Sequence, residues 1–146
     1  MRISKKSEYA LRALIVFARN PRSYQVQELS VMENIPVKFL EQILLALRNG
    51  GFLSSKRGVG GGYALKQTAD KITVGRVIRA LDGPVAPLPC AAATSDDVPC
   101  SCPDPQTCPI RSFMTQLNAE MNALLDSRTI EDLAKMDVGQ ALAFEI

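Results

Sequence analysis

Apolar residues in the first half of the chain recur with the period of a helix and are broken at intervals by Pro and Gly. Residues 7–19, SEYALRALIVFAR, read as a strongly apolar helix with Glu8 in its first turn, stopping near Asn20-Pro21. A shorter helix follows over 25–33 (QVQELSVME). Asn34-Ile35-Pro36 then makes a turn, with Pro36 at the first position of the next helix. That helix, 36–49 (PVKFLEQILLALRN), is two-sided when its residues are set at 100° intervals. Val37, Phe39, Leu40, Ile43, Leu44, Ala46 and Leu47 fall on one half, whereas Lys38, Glu41, Gln42, Leu45, Arg48 and Asn49 share the other. Two helices joined by a tight turn, the second with a polar face, make a helix-turn-helix candidate.

Gly50-Gly51 stops the helix and the period changes. In FLSSKRGVGGGYALK, residues 52–56 and 63–66 read as short strands joined by a glycine-dense tip, a hairpin of the kind called a wing. Farther on, Thr73 can cap a helix carrying Val74, Val77, Ile78 and Leu81, ended by Asp82-Gly83. Over 110–126 an apolar stripe of Ile110, Phe113, Met114, Leu117, Met121, Leu124 and Leu125 requires a partner surface. The economical one is the same helix of a second subunit, the other being its own domain. Thr129 opens a last short helix. The expected fold is mainly α with a small β wing: a winged helix-turn-helix domain over 1–81, a cysteine-containing loop over 82–109, and a dimerisation helix and tail over 110–146.

Length and composition suit this picture, since 146 residues with 47% apolar and 22% charged side chains describe one ordinary folded domain. The N-terminal apolar run is broken by Arg12 and Arg19, which argues against a signal peptide, and no apolar stretch reaches membrane-span length. A cytoplasmic protein without membrane partners is the expectation. Histidine is absent, which removes imidazole as base, metal ligand or partner of a nucleophile and makes an enzyme the weaker class. Charge changes the picture more. Residues 1–71 carry twelve Lys/Arg against five Asp/Glu, and residues 72–146 carry five against ten, so the basic half is the candidate polyanion binder. Gln42 can pair with adenine, Glu41 can accept from the cytosine amino group, and Lys38 can reach guanine or phosphate. Arg57, beside Lys56 at the glycine-flanked wing tip, can enter a narrow minor groove. Arg2 and Lys5 complete the candidate DNA-binding set.

The remaining pattern is CAAATSDDVPCSCPDPQTC, residues 90–108, which holds all four cysteines. Seven of the nine prolines fall within 82–109 beside almost no large apolar side chains, so burial cannot order the segment, whereas ligation can. In a reducing compartment such thiols serve as metal ligands or redox groups more often than as permanent disulfides. The spacing C-x9-C-x-C-x5-C lacks the paired C-x-x-C knuckles of structural zinc, while iron-sulfur clusters tolerate looser spacing.

The run FLEQILLALRNGGFLSSKRGVGGGYAL, with the opening MRISKKSEYALRAL, resembles the winged-helix regulators that include IscR, NsrR and CymR. The resemblance covers nearly the whole chain. It implies a dimeric bacterial transcription factor and in many members an iron-sulfur cluster in a loop beyond the wing; a twofold dimer would match a palindromic double-stranded operator with half-sites about 34 Å apart. It implies further that Glu41 and Gln42 read bases, that Arg57 is a minor-groove contact, and that Cys90, Cys102 and Cys108 are cluster ligands. Lys38 stands where other members often have a small polar residue, which implies a different operator preference. The fourth ligand is open between Cys100 and Glu8, the latter reaching from the first helix of the opposite subunit. An acid at position 8 also suits the helix dipole without any metal. The alternatives are a cluster-free regulator switched by thiol-disulfide chemistry or zinc, and a small redox or metal-carrier protein whose basic half binds a protein partner.

Overall fold

A computed structural model describes residues 2–92 and 102–136. The first helix, α1 (Lys5–Arg19), begins before the apolar run does, because the Ser4 hydroxyl accepts a hydrogen bond from the Ser7 amide and caps it. Helix α2 (Val26–Glu33) ends at Asn34 in the left-handed region, φ 53°. Pro36 then serves as the N-cap of α3 (Val37–Asn49), one position outside the helix rather than at its first position. Its ψ of 132° is extended, and its carbonyl still accepts the first helical bond, from Leu40. These three helices close on Ala10, Ala13, Leu14, Phe17, Leu29, Leu40, Ile43, Leu44 and Leu47, all fully buried. Phe17 meets Tyr24 edge to face at 5.2 Å, and the Tyr24 hydroxyl donates to the Asn20 carbonyl.

The wing is β1 (Leu53–Lys56) paired antiparallel with β2 (Gly62–Leu65), Leu53 opposite Leu65 and Lys56 opposite Gly62. Phe52, expected in the first strand, instead donates its amide to the Leu47 carbonyl and finishes the end of α3. Two 2.9 Å bonds between the main chains of Tyr24 and Tyr63 fasten the second strand to the segment before α2.

Helix α4 (Val74–Asp82) is capped by Thr73, stops at Gly83 and packs on α1. Its last residue reaches back to the start of α1, because the Asp82 carboxylate accepts from both the amide and the hydroxyl of Ser4. Desolvation raises the Asp82 pKa, but the bonds from Ser4, with a smaller one from Ser7 and the charge of Lys6, together hold the carboxyl below its ordinary value. Helix α5 (Pro109–Ser127) is the longest element. Helix α6 (Ile130–Lys135) opens with a Thr129–Asp132 capping box and packs on α1, and its Ile130 belongs to the same core as Leu14 and Phe17. The molecule is therefore mainly helical with one two-stranded wing, as the periodicities predict.

Candidate functional site

The exposed residues of α3 are Lys38, Glu41, Gln42, Leu45, Arg48 and Asn49, the outward half of the wheel, while Leu40, Ile43, Leu44 and Leu47 are inside. The amphipathic pattern causes this: one stripe fills the core and pins the opposite stripe outward. At the C-terminal end of that stripe Arg48 donates to the Ser55 hydroxyl of β1 at 3.3 Å, joining helix to wing. Beyond it, the Gly61 amide closes the wing tip on the Gly58 carbonyl at 3.0 Å. A Cβ at Gly61 would lie 2.8 Å from that same oxygen, so the turn excludes other residues. Lys56 and Arg57 are both exposed there.

Between wing, α3 and the start of α2 lies an open cleft of about 370 Å³, bordered by Gln25, Arg48, Ser55, Lys56 and Arg57. The Gln25 side chain donates to the Gly61 carbonyl at 3.0 Å and leaves the N-terminus of α2 without a side-chain cap. Three cations beside uncapped amides suit a phosphate. Lys5 lies on the other flank. Its ammonium is 2.9 Å from Glu8 and 5.4 Å from the centre of the Tyr9 ring, which meets Phe39 near the start of α3 at 5.7 Å. Arg2 instead borders a hollow with Asp82, Pro84 and Val85 at the far end of α4. The fold thus sets Lys38, Glu41 and Gln42 on one helix face that abuts the wing carrying Lys56 and Arg57, with Lys5 at its edge and Arg2 elsewhere. Arg48 joins that set; its signal is its place on the outward stripe two positions before Gly50.

The cysteines occupy a second region. Cys108 is the N-cap of α5, and Cys102 stands at the start of the turn before it. Asp104 shapes that turn by accepting from the Gln106 amide at 3.1 Å and the Thr107 hydroxyl at 2.8 Å. The outcome is a sulfur-to-sulfur distance of 3.4 Å between Cys102 and Cys108. The Arg111 amide points at the Cys108 sulfur and, with the Cys102 thiol and the Ile110 amide, lowers its pKa toward the thiolate. Cys90 lies in a single helical turn, Pro89–Ala91, fastened where Asn118 donates to the Ala91 carbonyl at 3.0 Å. Asn118 is about 15 Å along the axis of α5 from Cys108, at about 1.5 Å per residue.

Accordingly, Cys102 and Cys108 are brought together and Cys90 is held apart, and among the described residues no group of three or more Cys, Asp or Glu is placed to hold a metal. Two adjacent sulfurs, one biased to thiolate, fit two ligand positions of an iron-sulfur cluster or the two halves of a disulfide. Glu8 is exposed and ion-paired with Lys5 on α1. Cys100 lies outside the described residues.

The apolar stripe expected on α5 is split, with Met114, Met121 and Leu125 half-buried and the rest outward. Toward its own chain the helix turns Asn118 and Asn122, which bind the carbonyls of Ala91 and Val85, while Arg79 of α4 bonds Asn122 and pairs with Asp126. Ile110, Phe113 and Leu124 point away, 59%, 61% and 59% exposed, with Leu117 between them. Sequence reasoning misses this polar network, because single asparagines within an apolar repeat carry no periodic signal.

Comparison with known proteins adds identity to this geometry. The family profile described as "Rrf2: Iron-dependent Transcriptional regulator" matches residues 3–136. An rrf2-like HTH-type transcriptional regulator of Rhodobacter capsulatus is 36% identical over 90% of this chain and 91% of its own length. The HTH-type transcriptional regulator CymR of Bacillus subtilis is 32% identical over 99% of this chain and 97% of its own. Its solved structure, described as that of the global cysteine regulator, superposes with a TM-score of 0.77 at 31% identity, covering 94% of this chain and 99% of that one. The HTH-type transcriptional regulator IscR of Klebsiella pneumoniae is 31% identical over 91% of this chain and 79% of its own.

Proposed function

Because the chain belongs to the Rrf2 family of helix-turn-helix transcriptional regulators, which bind DNA and are not enzymes, we propose that it is a homodimeric regulator whose operator affinity is set by an iron-sulfur cluster. The observation that carries the reading is the Cys102–Cys108 pair at the N-terminus of α5, 3.4 Å apart with Cys108 biased to thiolate. The iron-dependent description of the family and the IscR relatives support it. Cys102 and Cys108 would hold the cluster; Cys90, fastened beside Asn118, would join as third ligand only by moving toward them, and Cys100 or the partner's Glu8 would be the fourth. When bound, the cluster supplies a redox- and iron-sensitive crosslink of this loop.

The chain's own residues carry that state to the DNA-binding side. Helix α5 runs without a break from Cys108 to Asp126, where Arg79 ties it to α4, and Asp82 of α4 holds the N-cap of α1. A coupling of about 1–3 kcal/mol along this route changes operator affinity about fivefold to a hundredfold. Salt-dependent operator titrations on anaerobically purified protein, before and after chelation of iron, test the reading. Equal affinity in both states, with no visible cluster absorption, removes it.

A second reading has its own observation. Sulfurs 3.4 Å apart need little movement to bond. In it Cys102 and Cys108 lose two protons and two electrons to a peroxide or a disulfide and form a disulfide, with no metal. Protein that takes up no iron and sulfide, yet changes affinity on peroxide treatment, selects this one.

On the DNA, Lys38, Glu41 and Gln42 face base edges, Arg57 enters the minor groove, and Lys56 and Lys5 serve the phosphates, while Arg2, at the far end of α4, is set apart from this face. Arg57→Ala is expected to weaken operator binding by about 1–3 kcal/mol, measured by gel shift at physiological salt; unchanged affinity removes Arg57 from the interface. The apolar face of α5 pairs with its copy. Phe113→Glu with Leu117→Glu is therefore expected to give monomers by sedimentation, with the winged part folded on its separate core.

A further inference from the structure

Leu45 is the single apolar side chain among the six exposed residues of α3. It is 42% exposed although Leu40, Leu44 and Leu47 of the same helix are completely buried, so it serves the core little. Its helical neighbours are Glu41 and Gln42 one turn before, and Arg48 and Asn49 one turn after. Leu45 therefore occupies the middle of the strip proposed to face the bases, framed on both sides by groups that hydrogen-bond. The inference rests on that assignment of α3 to the major groove.

An isobutyl group neither donates nor accepts, so it cannot read guanine, adenine or the cytosine amino group. The apolar feature that a base edge presents in the major groove is the 5-methyl group of thymine. Placed against a polar edge, Leu45 would strip water from a donor or acceptor and return no hydrogen bond, which disfavours that base. Placed against a methyl group, it removes apolar surface of both partners from water. We propose that Leu45 is a specificity determinant that reads a thymine methyl in each operator half-site, next to the bases faced by Glu41 and Gln42. The adjoining polar residues fix the register, and Leu45 supplies the apolar reading within it.

Deoxyuridine lacks only that methyl group and keeps every hydrogen-bonding atom of thymine, which makes the test direct. A duplex is selected from a random-sequence pool with wild-type protein, and each thymine of the half-site is replaced in turn by deoxyuridine. Wild-type protein is expected to lose about fourfold in affinity at one thymine per half-site, the value of one buried methyl group. Leu45→Ala is expected to bind the thymine duplex more weakly by a similar factor and to be indifferent to deoxyuridine at that position alone. An unchanged melting temperature establishes that the variant is folded, as the exposure of Leu45 leads one to expect. The proposal is overturned by a selected half-site without thymine, by wild-type indifference to every replacement, or by a thymine preference that survives in Leu45→Ala. A wild-type protein that selects no sequence from the pool overturns the reading of α3 as well, and is distinguished from the other outcomes because no duplex is then preferred.

Discussion

Serine at Cys108 is expected to abolish uptake of iron and sulfide during anaerobic reconstitution and, with it, any dependence of operator affinity on cluster state. The sulfur of Cys108 lies where the amides of Arg111 and Ile110 and the Cys102 thiol converge, so it is held toward the thiolate that iron requires. A hydroxyl in its place is of similar size but stays protonated. Serine at Cys102 removes the other member of the 3.4 Å pair and should act alike. Wild-type uptake of iron and sulfide that persists undiminished in both variants would sink the ligand assignment. The same geometry has a pH signature free of any metal. A lowered thiol pKa keeps the thiolate populated as pH falls, so alkylation of Cys108 by iodoacetamide should continue at lower pH than for an ordinary cysteine. Its rate should decline only as pH drops through the lowered value. Cys102→Ala removes one of the stabilising hydrogen bonds and should move the profile part of the way back up.

Alanine at Gly62 is expected to cost about 2 kcal/mol or more of stability and to weaken operator binding beyond that loss. Gly62 has φ 131°, a conformation that side chains strongly disfavour, and an added Cβ would sit against the carbonyl of Tyr24, 2.9 Å from its carbon. That carbonyl accepts from Tyr63 and is half of the pair of bonds that anchors the wing. The substitution therefore strains the backbone and also pushes the wing from its seat, carrying Arg57 and Lys56 with it. Urea denaturation gives the first effect and operator titration under folding conditions the second. A Gly62→Ala variant with wild-type values for both would mean that the Tyr24–Tyr63 bridge does not position the wing.

Much of this molecule is legible in its residues. Helical periodicity places α3 and its outward stripe because burying Leu40, Ile43, Leu44 and Leu47 leaves Lys38, Glu41, Gln42, Leu45 and Arg48 no alternative but solvent. Thr73, Thr129 and the Gly50-Gly51 stop mark element ends through local hydrogen-bonding chemistry that needs no tertiary context. Periodicity alone starts α1 too late, because Ser4 caps through a hydroxyl while Lys5 and Lys6 add nothing to the apolar period.

Other features depend on residues distant in sequence that only folding brings together. The Ser4–Asp82 tie spans seventy-eight positions, and the Tyr24–Tyr63 bridge seats the wing through main-chain atoms that any residue possesses. Nothing in CPDPQTC alone says that its two sulfurs approach to 3.4 Å while Cys90 stays beside Asn118; the Asp104 turn and the side-chain bond to Ala91 decide that. The sequence by itself determined which side chains are buried along each helix, because burial follows a periodicity written into neighbouring residues. The tertiary structure alone decided which cysteines meet, which arginine joins the wing and which part of the apolar stripe of α5 is left for a partner, because those are relations between elements whose positions no local pattern encodes.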